Sequence, residues 1–151
     1  MKRLQLLYTL LEREQKRRDE VQSILRNAFA NLDAQQQQAD GLKTYRSEYC
    51  AKWSANFQQA ASMEILRSYT GFLGRLDQVI TQQGNVVAHA QRAVDAAKQR
   101  LLEKEIRVKT VERLIQRRQE LLARIVDRRD QKNLDEMAAR RVPPRELAGM
   151  A

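Results

Sequence analysis

LRSYTGFLGRLDQVITQQGNVVAHAQRAVDAAKQRLLEKEIRVKTVERLIQRRQELLARI, residues 66–125, decides the fold. Read in alternating steps of three and four, it passes through Leu66, Tyr69, Leu73, Leu76, Ile80, Gln83, Val87, Ala90 and Val94. It continues through Ala97, Leu101, Lys104, Val108, Val111, Ile115, Arg118, Leu122 and Ile125. Fifteen of these eighteen positions are apolar, and the register never slips. A repeat of about 3.5 residues is the mark of a helix that buries a narrow seam against another helix. At about 1.5 Å per residue the stretch predicts a helix roughly 90 Å long, too long for a compact domain. The expected fold class is all-α, a long coiled coil, and the function is to be sought in what a rod can do.

Composition agrees. Of 151 residues, 31% are charged and 5% aromatic, too polar for a large globular core and suited to a two-helix seam. The first proline is Pro143, so nothing before it forbids helix. At the start, Lys2 and Arg3 precede Leu4, Leu6, Leu7, Leu10 and Leu11. The run is short and gives way to Glu12, Arg13 and Glu14, so it reads as helix rather than a secretory signal. No stretch approaches the ~20 apolar residues of a membrane span. Cys50 is the one cysteine, which rules out an internal disulfide and suits a reducing cytosol.

A second, weaker series precedes the first: Leu11, Glu14, Arg18, Val21, Leu25, Ala28, Leu32, Gln35, Ala39, Leu42, Arg46, Tyr49 and Trp53. The glutamines at 35–38 read as the solvated edge of this helix, because Leu32, Ala39 and Leu42 continue the seam around them. Between Trp53 and Glu64 the pattern breaks, and Ser62 ahead of Glu64 suits the start of the long helix. A short connection makes neighbouring helices antiparallel. The expected organisation is one hairpin over residues 1–141, with helix one at about 3–55, the tip at about 56–62 and helix two at about 63–141. The tail 142–151, opening with Pro143 and Pro144, is expected to be flexible. Facing residues should have numbers summing to about 120, putting Tyr49 near Gly71 and Leu11 near Lys109. Helix two should then overhang alone beyond about residue 117, which leaves self-association open. Gly41, Gly71, Gly74 and Gly84 all fall in the tip half, where they reflect either tolerance near a helix end or close approach by another chain.

Charge divides along the chain. Residues 2–26 hold seven Lys or Arg against four Asp or Glu, residues 27–97 six of each, and residues 98–129 eleven against five. Residues 130–151 balance at four each, so the net +9 gathers where a hairpin brings the termini together. A basic end raises a nucleic-acid reading. Acidic residues interrupt every basic run, and no zinc pattern or stacking aromatic set accompanies them, so the runs read first as a solvated coiled-coil face, and a basic surface is equally suited to an acidic protein partner.

Catalysis, metal and cofactor find no support. His89, the one histidine, lies beside the seam, and Cys50 has no histidine nearby in sequence to activate it. There is no glycine-rich phosphate loop, and Asp135 with Glu136 reads as helix surface. The expectation is a non-enzyme without cofactors.

The apolar excess is more informative. Gln38, Leu42, Tyr45 and Tyr49 are spaced by four, three and four, and so are Phe72, Leu76, Val79 and Gln83. Tyr45, Phe72 and Val79 stand outside the seam, on its flank. In the hairpin these two stripes share one level. Two readings stay open, side chains wrapping the seam edge or a docking patch for another protein.

With these features the chain resembles the FliJ family, small cytoplasmic components of the bacterial flagellar type III export apparatus. The resemblance runs over about residues 4–141. It is carried by Leu42-Lys43-Thr44-Tyr45-Arg46-Ser47-Glu48-Tyr49, by Tyr69 to Gln83, and most specifically by Arg128-Arg129-Asp130-Gln131-Lys132-Asn133-Leu134-Asp135-Glu136. Two departures occur, Gln83 where the family would have histidine and Val79 where it would have alanine. Injectisome stalk proteins of the YscO type are a close second, and the ending from Asp130 to Glu136 favours the flagellar branch. Heptads and a basic end by themselves would also suit a generic coiled-coil tether or a basic nucleic-acid-binding protein.

The resemblance implies an antiparallel coiled-coil hairpin similar to the γ-subunit shaft of the rotary ATP synthase. It implies a stalk without enzymatic activity, peripheral at the cytoplasmic face of the flagellar basal body and not inserted in the membrane. Its partners would be the export ATPase FliI with FliH, the export gate protein FlhA, and export chaperones that it cycles. The gate contact would fall on Gln38, Leu42, Tyr45, Tyr49, Phe72, Leu76, Val79 and Gln83. The ATPase end would be the basic one, with Arg117, Arg118, Arg124, Arg128, Arg129 and Lys132 as candidates.

Overall fold

The computed structural model describes residues 2–57 and 62–141. They form two helices, α1 (Lys2–Phe57, 56 residues) and α2 (Met63–Arg141, 79 residues). Residues 58–61 of the expected tip and the expected tail 142–151 lie outside the described residues. Ser62 caps α2: its Oγ accepts a hydrogen bond from the Ile65 amide at 3.3 Å, and its carbonyl accepts one from Leu66 at 3.1 Å. Glu64 in the first turn and Arg140 and Arg141 in the last complement the helix dipole.

Burial follows the 3.5-residue register. Every member of the α1 series from Leu11 to Trp53 is buried or half-buried, and so is every member of the α2 series from Tyr69 to Leu122. Leu4 and Leu7 extend the α1 series in the same register, and half-buried Phe57 follows Trp53 one residue off it. The helices pair antiparallel as a coiled-coil hairpin: residues early in α1 meet residues late in α2, and those late in α1 meet those early in α2. A seam valine or isoleucine withdrawn from water contributes about 1.5–3 kcal/mol, while a long polar flank keeps such helices soluble.

The chain divides into two compact units, Lys16–Glu105 and the pair of segments Met1–Gln15 and Ile106–Ala151. In the first, Val21, Ala39, Leu76, Ala90, Val94 and Ala97 form the buried core, with Val94 at 0% exposure. One polar residue joins them: Gln83, 8% exposed, donates to the Gln35 carbonyl at 3.0 Å and to Gln35 Oε1 at 2.9 Å. In the second unit Val108, Val111, Ile115 and Glu14 are buried, and Leu4, Leu7 and Leu11 are half-buried.

The expected register holds near the tip and needs correction near the termini. Tyr49 lies between Tyr69 and Phe72, ring centroids 5.6 and 4.6 Å away, on either side of the expected Gly71 in sequence. The overhang begins later than residue 117. Gln119 Nε2 donates to Tyr8 Oη at 2.7 Å, Arg118 and Leu122 are half-buried, and the continuously exposed part of α2 starts at Ala123. Two causes combine. The seam of α1 reaches back to Leu4, seven residues before Leu11, and side chains in each helix lean toward its own N-terminus. In an antiparallel pair those leanings converge, so long side chains meet several residues beyond the backbone register.

Candidate functional site

Two surfaces gather several apolar side chains at the edge of the seam, one in each unit. In Lys16–Glu105 six rings form a continuous cluster. Tyr49 contacts Tyr45, Trp53, Tyr69 and Phe72, with centroids 4.6–6.3 Å apart. Trp53, Phe57 and Tyr69 close a second group at 5.1–5.8 Å. Tyr45 meets Phe72 edge-on at 6.5 Å across the two helices. Such ring pairs add about 0.5–1.5 kcal/mol each beyond their burial.

The chain's pattern explains the arrangement. Gln38, Tyr45, Phe72 and Val79 each precede a seam residue by one. In an antiparallel pair the positions of that kind on the two helices border the same side of the seam, and the Tyr45–Phe72 contact is the result. Positions that follow a seam residue border the other side, where Lys98 Nζ sits 5.2 Å above the Phe29 ring.

The structure separates the eight tip candidates into groups. Leu76 and Gln83 are buried in the seam, and the Gln83 amide is occupied by Gln35. Leu42, Tyr49 and Phe72 are half-buried. Gln38, Tyr45 (50% exposed) and Val79 (45% exposed) face solvent. Ile65 and Val86, one position before seam residues Leu66 and Val87, are exposed as well. They prolong the flank stripe at both ends of α2's share, and their spacing of seven from Phe72 and Val79 was the sequence signal for them.

Beside the rings, Arg46 bridges the helices. Its Nε donates to Asp77 Oδ1 at 2.6 Å and its Nη2 to Asp77 Oδ2 at 3.4 Å. The hydrogen bond and charge of Asp77 hold the Arg46 guanidinium above its ordinary pKa. Cys50 is half-buried, accepts weakly from Arg46 Nη1 at 3.9 Å, and its hydrogen bond with Tyr69 raises the phenol's pKa above the usual tyrosine range. At none of the four glycines would an added Cβ meet an atom of this chain within 4 Å, so packing between these helices does not require them.

In the other unit a groove of about 510 Å³ runs between the two helices, floored by Leu6, Leu7, Leu10, Leu114 and Leu121. Arg3, Arg117 and Arg118 complete its lining. In the sequence Arg117 and Arg118 stood out as charge, Leu6, Leu7 and Leu10 only as a short apolar run, and Leu114 and Leu121 not at all, although Leu10, Leu114 and Leu121 each precede a seam residue as Tyr45 does. Of the other basic candidates, Arg124, Arg128, Arg129 and Lys132 are exposed on the stretch of α2 after Leu122. Leu134 and Met137 are exposed there too.

Among the described residues no cluster of three or more His, Cys, Asp or Glu side chains could hold a metal, and no helix is long and apolar enough to cross a membrane. What the two surfaces offer chemically is binding: aromatic and aliphatic contact on one, leucine and guanidinium on the other.

No curated protein and no solved structure matches the chain. A comparison with protein families does: residues 1–146 match the family described as "Flagellar FliJ protein". That match takes in both helices and both surfaces, and with a fold of two long antiparallel helices it leads to one conclusion: the chain belongs to the FliJ family, a component of the flagellar export apparatus.

Proposed function

We propose that this chain is the non-enzymatic stalk that couples the export ATPase to the export gate. Its basic end promotes assembly of the FliI ring, with FliH, at the cytoplasmic face of the basal body. The flank stripe of Gln38, Tyr45, Phe72 and Val79 engages FlhA, with Leu42 and Tyr49 behind it and Leu76 and Gln83 holding the two helices in register beneath. Export chaperones are passed on from the same stalk. The observation that carries this reading is the half-exposed Tyr45–Phe72 pair: two aromatic side chains on facing helices, one of them half open to solvent, beside an exposed valine. Aromatic anchors in such a setting are where binding energy concentrates.

The test uses two variants and two measurements. Tyr45→Ala with Phe72→Ala should weaken FlhA binding by about 2 kcal/mol or more and leave ATPase stimulation intact. Arg117→Glu, Arg118→Glu and Arg124→Glu together should lower ATPase stimulation and leave FlhA binding intact. Wild-type binding to FliI should weaken as salt rises. If the aromatic variant melts early yet binds FlhA like wild type, those rings are structural and the gate contact lies elsewhere.

A further inference from the structure

The leucine groove of the terminal unit has features that a flat basic face would lack. Leu6, Leu10, Leu114 and Leu121 are all exposed, Leu6 by 69%. They line one trough with Leu7 at its base. Among the described residues no Asp or Glu lines it. Arg3, Arg117 and Arg118 make no hydrogen bond or ion pair with another described residue, and Arg118 Nε is withdrawn from solvent without an acceptor. A buried donor left unmade is costly, and a carboxylate is the acceptor a guanidinium binds best.

We propose that this groove receives an amphipathic helix of a partner protein, one that carries leucine-type side chains toward the trough and carboxylates toward Arg3, Arg117 and Arg118. A helix fits because the floor is built from two helices whose backbone groups are already paired internally. They offer an extended peptide no free edge to bond. The seven residues from Leu114 to Leu121 give a trough of about 10 Å, two helical turns, which suits anchors at i, i+3 or i+4, and i+7. Charge selects an acidic partner over a second copy of this chain. A second copy would bring its own basic segment, net +6 over residues 98–129, against the same three arginines. The groove lies at the end assigned to the ATPase, and its occupant's chemistry rests on that reading only in taking this end to dock a protein.

The experiment uses the full chain and a fluorescent designed helix of about 21 residues, three heptads, with leucine at seam positions and glutamate on both flanks. Two comparison peptides replace glutamate by lysine or leucine by serine. The acidic leucine peptide should bind at least about tenfold more tightly than either. Leu6→Asp with Leu121→Asp should weaken it by about tenfold or more while helicity by circular dichroism is unchanged, since both side chains are exposed. Arg118→Gln should weaken it about fivefold, whereas Arg128→Gln with Arg129→Gln, which removes more charge outside the groove, should change it less than about twofold. Equal binding of the serine peptide, or indifference to both groove variants, overturns the proposal. So does finding that these variants abolish self-association, or binding to phosphatidylcholine vesicles containing phosphatidylserine, and spare the peptide. The peptide assay contains no ATPase, so its failure is separate from loss of stimulation in the charge-reversed variant.

Discussion

The two apolar surplus regions differ in what their side chains find within the chain. Around residues 45–72 the surplus is aromatic, and six rings contact one another across both helices. Around residues 3–10 and 114–121 it is leucine and arginine, and the leucines border an open trough while Arg118 Nε has no acceptor among the described residues. Rings are wide enough to reach across a two-helix flank and satisfy each other. Leucines at equivalent flank positions are too short to close over the seam, so they leave a surface that only another molecule can cover. Flank side chains such as Tyr45 and Phe72 therefore find neighbouring rings in one unit, whereas Leu10, Leu114 and Leu121 border an open trough in the other.

Truncation should expose that difference most strongly. Tyr49→Ala removes the ring that touches four others, and it should cost about 2–3 kcal/mol in urea unfolding. Leu6→Ala with Leu121→Ala should cost less than Tyr49→Ala in the same measurement, about 1 kcal/mol, because Leu6 is 69% and Leu121 45% exposed. Equal losses at the two sites would erase the distinction between the regions.

The buried amide pair sharpens the comparison next. Gln83→Ala leaves Gln35 without its partner and should destabilise by about 1–2 kcal/mol. A double Gln35→Leu and Gln83→Leu variant, apolar on both sides, should be near neutral in stability. A large loss in the double variant would mean that the pair contributes more than local hydrogen bonding.

Register can be read without unfolding anything. Cysteines at Leu25 and Ala97, both seam positions of the same unit, should crosslink within one chain once Cys50 is replaced by serine. Products formed only between chains would contradict the antiparallel pairing.

The smallest expected effect is a titration. Hydrogen bonding to Cys50, with desolvation second, favours the neutral phenol of Tyr69, so its folded pKa lies above its unfolded one. The stability from that contact is complete below the ordinary tyrosine pKa and is lost as pH rises through the raised folded value. Tyr69→Phe should remove one tyrosine transition from the high-pH part of the ultraviolet absorbance curve, and Cys50→Ala should bring the Tyr69 midpoint down. A curve unchanged in Cys50→Ala would remove the thiol as the cause.

The fold was legible because a coiled coil is specified by spacing along the chain. Once Leu76, Ala90, Val94 and Ile115 recur at 3.5 residues, the helix geometry alone puts them on one line, and burial of that line needs only a partner with the same period. Ser62 and Glu64 mark the start of α2 by equally local chemistry. The family was legible for the same reason, since its segments are contiguous in sequence.

What lies across the seam was decided by the tertiary structure. That Gln83 turns inward to Gln35, that Arg46 reaches Asp77, and that Gln119 meets Tyr8 where an unpaired overhang was expected all depend on inter-helix register and rotamer, which no period along one helix contains. The groove belongs here too. Leu6 and Leu10 lie more than a hundred residues from Leu114 and Leu121, and each looks like an ordinary flank residue in its own helix. Only the antiparallel pairing brings them to one trough beside Arg118, because the trough is a property of the space between helices.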